Sequence, residues 1–248
     1  MSDTLRLDAL LAERGLAASR SQGADLIRRG LVRLGGQVVT KPGRRVARRA
    51  DIAVAPEAQP YVSRGGLKLA AALDHFAFDV AGCRALDLGA STGGFTDVLL
   101  RRGAAHVTAL DAGHGQLHDS LRGDARVLCL EKLNARDLEP GHLPGPVDLI
   151  VCDVSFISLK LALPPALKLA AEGAALIALI KPQFEVGRAA LGKGGIVRDP
   201  ALHQQTCTDI SAWLEGDCGW RVTGLMPSPL TGPDGNREFL IAALKELR

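Results

Sequence analysis

The stretch Arg84–Thr96, RALDLGASTGGFT, constrains the fold more than any other part of the chain. Arg84–Leu88 reads as a short buried strand of mostly small and apolar residues. Gly89, Gly93 and Gly94 interrupt it in a tight loop, and a helical rhythm resumes from Phe95 through Val98, Leu99 and Leu100. A strand, a glycine turn and a helix start in that order make a nucleotide pocket: missing Cβ atoms let a ligand approach the backbone, and free N–H groups point at it. The spacing is DxGxxxGG, not the GxGxxG of dinucleotide folds. Asp87, two residues before Gly89, would repel a pyrophosphate but suits the cationic amino group of S-adenosylmethionine. On this reading Asp87, Gly89, Ser91, Gly93, Gly94 and Phe95 are the expected cofactor contacts. The same residues also fit an ordinary β–α turn in any doubly wound sheet.

Downstream, strands and helices alternate. Strands are expected at 84–88, 106–111, 126–130, 148–153, 174–180, 221–226 and 238–243, and helices at 67–77, 95–102, 116–122, 158–171 and 201–215. Such alternation argues for an α/β fold, an open and mostly parallel sheet with helices on both faces. No helix separates the last two strands. Pro227, Pro229, Pro233 and two glycines join them, so an antiparallel pair is expected there. A seven-stranded parallel sheet ending in one antiparallel strand is the Rossmann-like class I methyltransferase arrangement.

Ligands of open α/β sheets bind at the carboxyl ends of the strands. That rule selects Asp87 and Asp111, which close the first two strands, the second carboxylate being placed to accept ribose hydroxyls. After the third strand, in LEKLNARDL, Asn134 or Asp137 either reaches an adenine edge or caps a helix. The fourth strand ends at Asp153 and the fifth at Lys181, where Pro182 blocks simple helical continuation. If the last strand runs antiparallel, Glu238 at its start lies at the same edge, and Lys68 begins the first helix of this domain. Two lysines and two carboxylates thus converge on one cleft.

The front of the chain differs in character. Residues 1–54 carry 11 Lys and Arg against five Asp and Glu, a net +6, whereas the remainder is net −3. A basic head on a mildly acidic body suggests a polyanion-binding module. An amphipathic helix is expected over 5–14 and ended by Gly15. A second is capped by Ser19 and ended by Gly30, and two short strands follow about Gly35-Gly36. Asp51–Val54 closes the module. A boundary near residue 59, in APEAQP, separates domains at 1–59 and 60–248.

The five cysteines form no CxxC pair and read as reduced core residues, so neither a disulfide framework nor a metal site is expected. The N-terminal residues lack an apolar signal core, and no apolar run reaches the roughly 18–20 residues of a membrane helix. A cytoplasmic protein without membrane contact or an obligate protein partner is expected. The loop FEVGRAALGKGGIVRDP, with four glycines and the cations Arg188, Lys193 and Arg198, is either a closure over RNA or a mobile surface loop.

Two resemblances extend this reading. The segment RLDALLAERGLAASRSQGADLIRRGLVRLGGQVVTKPGRRV resembles the S4 RNA-binding domain, here a small α+β unit with Gly35-Gly36 where the family usually has Asn-Gly. It implies that Arg6, Arg20, Arg28, Arg29 and Arg33 contact RNA phosphates, which fix position but read no sequence. Lys68, Asp153, Lys181 and Glu238 match the Lys-Asp-Lys-Glu tetrad of FtsJ/RrmJ-type ribose 2′-O-methyltransferases. With SRGGLKL, LDLGASTGGFT, CDVSFISL, IKPQFE, GKGGIVRDP and GNREFL, the whole chain resembles the TlyA family of ribosomal RNA methyltransferases. The resemblance implies metal-free 2′-O-methylation of a cytidine in ribosomal RNA or ribosomal subunits, with S-adenosylmethionine as donor. A 2′-hydroxyl is a poor nucleophile at neutral pH and needs a nearby base; Lys181 is then the candidate, with Lys68 supplying neighbouring positive charge or stabilising an oxyanion, and Asp153 and Glu238 orienting the lysines.

Three rivals compete. A non-catalytic RNA-binding assembly factor would not need the intact glycine loop and all four tetrad positions. A cytolysin, a label this family has carried, should show a signal segment, an amphipathic membrane stretch or a long alternating hairpin. A nicotinamide oxidoreductase should show GxGxxG.

Overall fold

The computed structural model describes residues 4–17, 20–55, 61–187, 190–192, 194–232 and 234–246. The expected cap at Ser19, the boundary near residue 59 and the cations Arg188 and Lys193 lie outside the described residues. The chain forms two compact units, Met1–Pro60 and Tyr61–Arg248.

In the first unit, β1 (Thr4–Arg6), α1 (Leu7–Glu13), α2 (Arg20–Arg28), β2 (Val32–Leu34), β3 (Gln37–Val38), β4 (Arg45–Ala47) and β5 (Ile52–Val54) follow in order. Leu7, Leu10 and Leu11 of α1 pack on Leu26 and Ile27 of α2 and on Val32, Val39 and Val46. The ribbon β3-β2-β5 turns at Gly35 and Gly36, both at positive φ, with Leu34 opposite Gln37. One expectation is corrected here. Thr4–Arg6 is a strand rather than the start of a helix, because it pairs with β4 through Leu5 opposite Val46.

The second unit runs α3 (Gly65–His75), β6 (Arg84–Leu88), α4 (Gly94–Arg101), β7 (His106–Asp111), α5 (Asp119–Arg122), β8 (Val127–Glu131), β9 (Val147–Cys152), α6 (Leu159–Ala162), α7 (Pro164–Lys168), β10 (Ala170–Ile180), α8 (Pro182–Glu185), α9 (Pro200–Gly216), β11 (Trp220–Pro227) and β12 (Phe239–Lys245). Its seven strands are ordered β11-β12-β10-β9-β6-β7-β8, and only β12 runs against the rest. The inner strands are buried on both faces, so their period-2 alternation sorts apolar side chains between two cores. Leu86, Leu88, Ile150, Leu176 and Ile180 join the core under α6, α7 and α9. Ala85, Leu149, Val151, Ile177 and Leu179 join the core that holds Leu69 of α3 and Val98 of α4. Strand order reverses at β6, which lies between β9 and β7, and this switch point opens the crevice at the carboxyl edge.

Two helices differ from expectation. The 158–171 helix is two short helices, because Pro164 lacks the N–H to continue α6 and instead occupies the first turn of α7. The helix expected from residue 116 begins only at Asp119. The N–H groups of Gly115 and Gln116 donate instead to the Glu131 carboxylate, at 2.8 and 3.0 Å. These bonds, Gly115's first, together with one from the Arg122 guanidinium, hold Glu131 down at about 2.

Candidate active site

A cleft of about 810 Å³ opens at the switch point, walled by the ends of β6, β7 and β9 and by the residues after β8. Gly89, Ser91, Asp111, Asn134 and Asp153 line it, as does Gln116. Asp111 ends β7 and ties the wall together: its Oδ2 accepts from the Ser91 N–H at 2.8 Å and its Oδ1 from the Gly113 N–H at 2.6 Å. Each oxygen keeps a second lone pair for a ligand hydroxyl. Of the two candidates after β8, Asn134 lines the cleft and Asp137 does not. Asn134 also caps the turn Ala135–Asp137, its Oδ1 accepting from the Arg136 N–H at 3.1 Å, so both expected roles fall on one side chain.

The glycine turn works differently from its sequence reading. The missing Cβ atoms make room for protein. A Cβ on Gly89 would lie 2.8 Å from the Asp153 carbonyl oxygen, and one on Gly94 would meet the Ser63 hydroxyl and the Gly66 N–H. Close packing of the β9 loop and of the α3 start on this turn therefore requires glycine. Gly93, Gly94 and Phe95 do not line the cleft, and Phe95 packs in the core against α3. Asp87 is also displaced from its expected place. It points to the same face of the sheet as Ala85 and is fully buried. Its Oδ2 accepts from Thr96 Oγ1 at 2.7 Å, while Oδ1 has no hydrogen-bond partner among the described residues. Thr96 carried no sequence signal, being one more residue of a buried helix.

Burial pushes the Asp87 carboxyl up to about 7, against the pull of the Thr96 hydrogen bond. The unfolded chain releases this proton near 3.8 and the folded chain near 7, so stability falls as pH rises between those values and is level above them. A shift of this size corresponds to about 4 kcal/mol. His106, whose pKa burial lowers, acts in the opposite direction below its ordinary value of 6.5. A comparison with Asp87→Asn isolates the Asp87 contribution. The wild type minus D87N difference in unfolding free energy, from urea titrations at pH 5 and pH 8, is expected to drop by a few kcal/mol at the higher pH. A difference that does not change with pH would show that Asp87 is ionised throughout.

The four ionic residues come together as two pairs. Lys68 Nζ and Glu238 Oε2 are 2.5 Å apart, with the residues only 5% and 3% exposed. Lys181 Nζ lies 2.6 Å from Asp153 Oδ1 and donates to Ser155 Oγ at 2.7 Å. The sheet register explains the convergence. Ile180 pairs with Phe239 across the antiparallel β10–β12 ladder, which sets Lys181 and Glu238 opposite each other just beyond it. Asp153 follows Cys152, the last β9 residue in register with Leu88 of β6. A Cβ on Gly65, one turn before Lys68, would lie 3.8 Å from Asp153 Oδ2. Asp153 alone of the four lines the cleft, and Lys181 sits just behind it. Sequence reasoning missed Ser155 and Phe156 in the loop after β9. Phe156 has a φ of 66° and is 91% exposed at the cleft, its ring centroid 5.2 Å from that of Phe184. An aromatic residue three positions after a strand-end acid, in a chain with only 4% aromatics, was the signal available.

The 187–198 loop is anchored at its far end. Buried Asn236 accepts from the Val197 N–H at 3.0 Å and donates to the Gly195 carbonyl at 3.2 Å, and His203 Nε2 lies 2.9 Å from the Val197 carbonyl oxygen. The loop is thereby bolted to the turn that precedes Glu238.

In the first unit, Arg6 donates twice to buried Asp8, at 3.1 and 2.6 Å, and Arg20 lies 3.4 Å from the same carboxylate. The bond from Arg6 lowers the Asp8 pKa. Arg29 pairs with Asp25 at 3.6 Å, Arg33 donates to the Gly36 carbonyl at 3.2 Å, and Arg28 is exposed.

A doubly wound seven-stranded sheet with one reversed strand, and a cleft at its switch point between a glycine turn and a strand-end acid, defines a Rossmann-like methyltransferase. The N-methyltransferase NodS of Bradyrhizobium japonicum shares that fold at a TM-score of 0.51 and 12% identity, over 75% of this chain and 99% of its own. The chain belongs to the FtsJ-like methyltransferase family, whose pattern matches residues 61–245, and an S4 domain matches residues 5–52. It is 48% identical to the 16S/23S rRNA (cytidine-2′-O)-methyltransferase TlyA of Mycobacterium tuberculosis, over 97% of this chain and 90% of that protein. It is 39% identical to Hemolysin A of Brachyspira hyodysenteriae, over 95% and 98% respectively. A solved structure from Streptococcus thermophilus labelled as a hemolysin superposes with a TM-score of 0.79 at 40% identity, covering 99% of this chain and 90% of that one.

Proposed function

We propose that this chain transfers the methyl group of S-adenosylmethionine to the ribose 2′-hydroxyl of a cytidine in ribosomal RNA. The observation that carries this reading is a lysine held by a carboxylate and a hydroxyl immediately behind the wall of a nucleoside-sized cleft. The activity named for the Mycobacterium tuberculosis relative supports the same substrate.

The residues present fit the donor. Asp111 offers lone pairs to ribose hydroxyls and Asn134 an amide to an adenine edge. Asp87, whose Oδ1 is buried without a partner, places a latent negative charge beneath the glycine turn. Because Asp87 is covered, it acts on the donor's cationic groups through the field, and Gly89 and Ser91 form the contacting wall. Bound S-adenosylmethionine supplies a methyl group already activated on a sulfonium. The protein's part is to place the acceptor hydroxyl and remove its proton. Lys181 Nζ takes that proton, and Asp153 holds the amine. The desolvated Lys68–Glu238 pair fixes the neighbouring wall without adding net charge. Phe156 offers an exposed ring on which a nucleobase beside the target can stack.

Arg20, Arg28, Arg29 and Arg33 hold RNA through its phosphates. Arg6 is committed to Asp8 and serves chiefly to shape that surface. The five cysteines are free, in keeping with a protein that works beside ribosomes in the cytoplasm. Among the described residues no helix is long and apolar enough to cross a membrane.

Incubation with methyl-labelled donor and, separately, small subunits, large subunits and naked ribosomal RNA tests the reading. Label is expected on the ribose of a cytidine, located by resistance of the adjoining phosphodiester to alkali. Label on a base, or in no RNA, would overturn it.

A further inference from the structure

Ser155 lies two residues beyond Asp153 in the loop after β9, on the cleft wall. Its Oγ accepts from Lys181 Nζ at 2.7 Å, while Asp153 Oδ1 stands 2.6 Å from the same nitrogen. The backbone at Phe156, φ 66°, turns the loop so that Ser155 reaches back to the lysine while the next side chain stands out in solvent. An amine nitrogen bonded to Cε has three remaining tetrahedral directions. Ser155 accepts along one of them, whether the lysine is an ammonium or a neutral amine, and the Asp153 carboxylate draws a second N–H by charge, at ion-pair distance without hydrogen-bond geometry. Only the third direction is left for the lone pair.

We propose that Ser155 is a positioning residue that, with Asp153, locks the rotation of the Lys181 amine and so aims its lone pair at the acceptor hydroxyl. This rests on the reading of Lys181 as the base. In the step it serves, the hydroxyl O–H bond breaks and its proton passes to Lys181 Nζ. The oxygen–methyl bond forms as the carbon–sulfur bond breaks, and that electron pair stays on sulfur. The ammonium then returns the proton to solvent. Without Ser155 the amine keeps one anchor and rotates about Cε–Nζ, so the lone pair is correctly aimed for a smaller share of encounters.

The test compares wild type, Ser155→Ala, Ser155→Thr and Lys181→Ala on the ribosomal substrate that the wild type methylates, with donor binding measured by calorimetry. S155A is expected to lower kcat by about 10- to 100-fold, the scale of a small misplacement of a reacting group, with KM for donor and RNA within about threefold. S155T keeps the hydroxyl and is expected to restore kcat to within about threefold. Normal kcat in S155A, a loss confined to KM, lost donor binding, or S155T no better than S155A would each overturn the proposal. The Lys181→Ala arm separates the two readings. If K181A turns over freely, the base assignment fails. If K181A is inactive while S155A is normal, only the Ser155 role fails.

Discussion

Lys181→Ala is expected to lower methyl transfer by about 10³-fold, within the range for removal of a positioned general base. Donor binding is expected to survive, because Lys181 stands behind Asp153 and does not line the donor cleft. Lys181→Arg makes the sharper test. Arginine keeps the charge and the bond to Asp153 but does not give up its proton, so it preserves the electrostatics and removes the base. If the lysine accepts the hydroxyl proton, K181R falls as far as K181A in single-turnover methylation at saturating donor. If the lysine only supplies positive charge beside the developing oxyanion, K181R retains a tenth or more of the rate, and the base assignment is lost. Calorimetric titration with the demethylated product, run on each variant, separates a chemical defect from a broken cleft.

The sequence signals that held were those tied to strand ends. Asp111, Asp153, Lys181 and Glu238 lie at one sheet edge because an apolar run bounded by an ionic residue marks where a strand leaves the core, whereas Asp87, selected by the same rule, is turned into the core. The reversal of β12 followed from the lack of a helix before it. What stayed hidden depended on ångström-scale neighbours. Four ions at one edge can pair in several ways, and only register and side-chain reach assign Lys68 to Glu238 and Lys181 to Asp153. The glycines of the turn read as openings for a ligand, yet at Gly89 and Gly94 the space is filled by the protein's own backbone and a serine. Ser155 and Phe156 sit in an aperiodic loop, where no repeat points a side chain to one face. Thr4–Arg6 looked helical because Leu5 and Leu7 suit both periods, and pairing with a strand some 40 residues away decided the matter.

The Lys68–Glu238 pair carries the largest expected effect on stability. Both side chains are almost wholly withdrawn from water, so each charge is tolerable only because of the other. Glu238→Ala leaves an ammonium buried without its carboxylate and is expected to destabilise the protein by about 3–5 kcal/mol, a large share of an ordinary domain's stability. That loss would depress activity whatever the pair does in the reaction, so the single variant cannot separate folding from chemistry. The double variant Lys68→Met, Glu238→Leu can. Replacing both charges by apolar side chains of similar size removes the desolvation cost together with the attraction. Denaturant midpoints are then expected to return close to wild type. Methyl transfer is expected to remain far below wild type, because the buried ion pair that fixes the wall beside Lys181 is gone. A double variant that is stable and fully active would reduce the pair to a structural device, whereas a stable E238A would show that Lys68 finds water and is not sealed in. A protein that regains stability without turnover would assign the pair to shaping the site beside Lys181, with the cost of burying it borne by the fold.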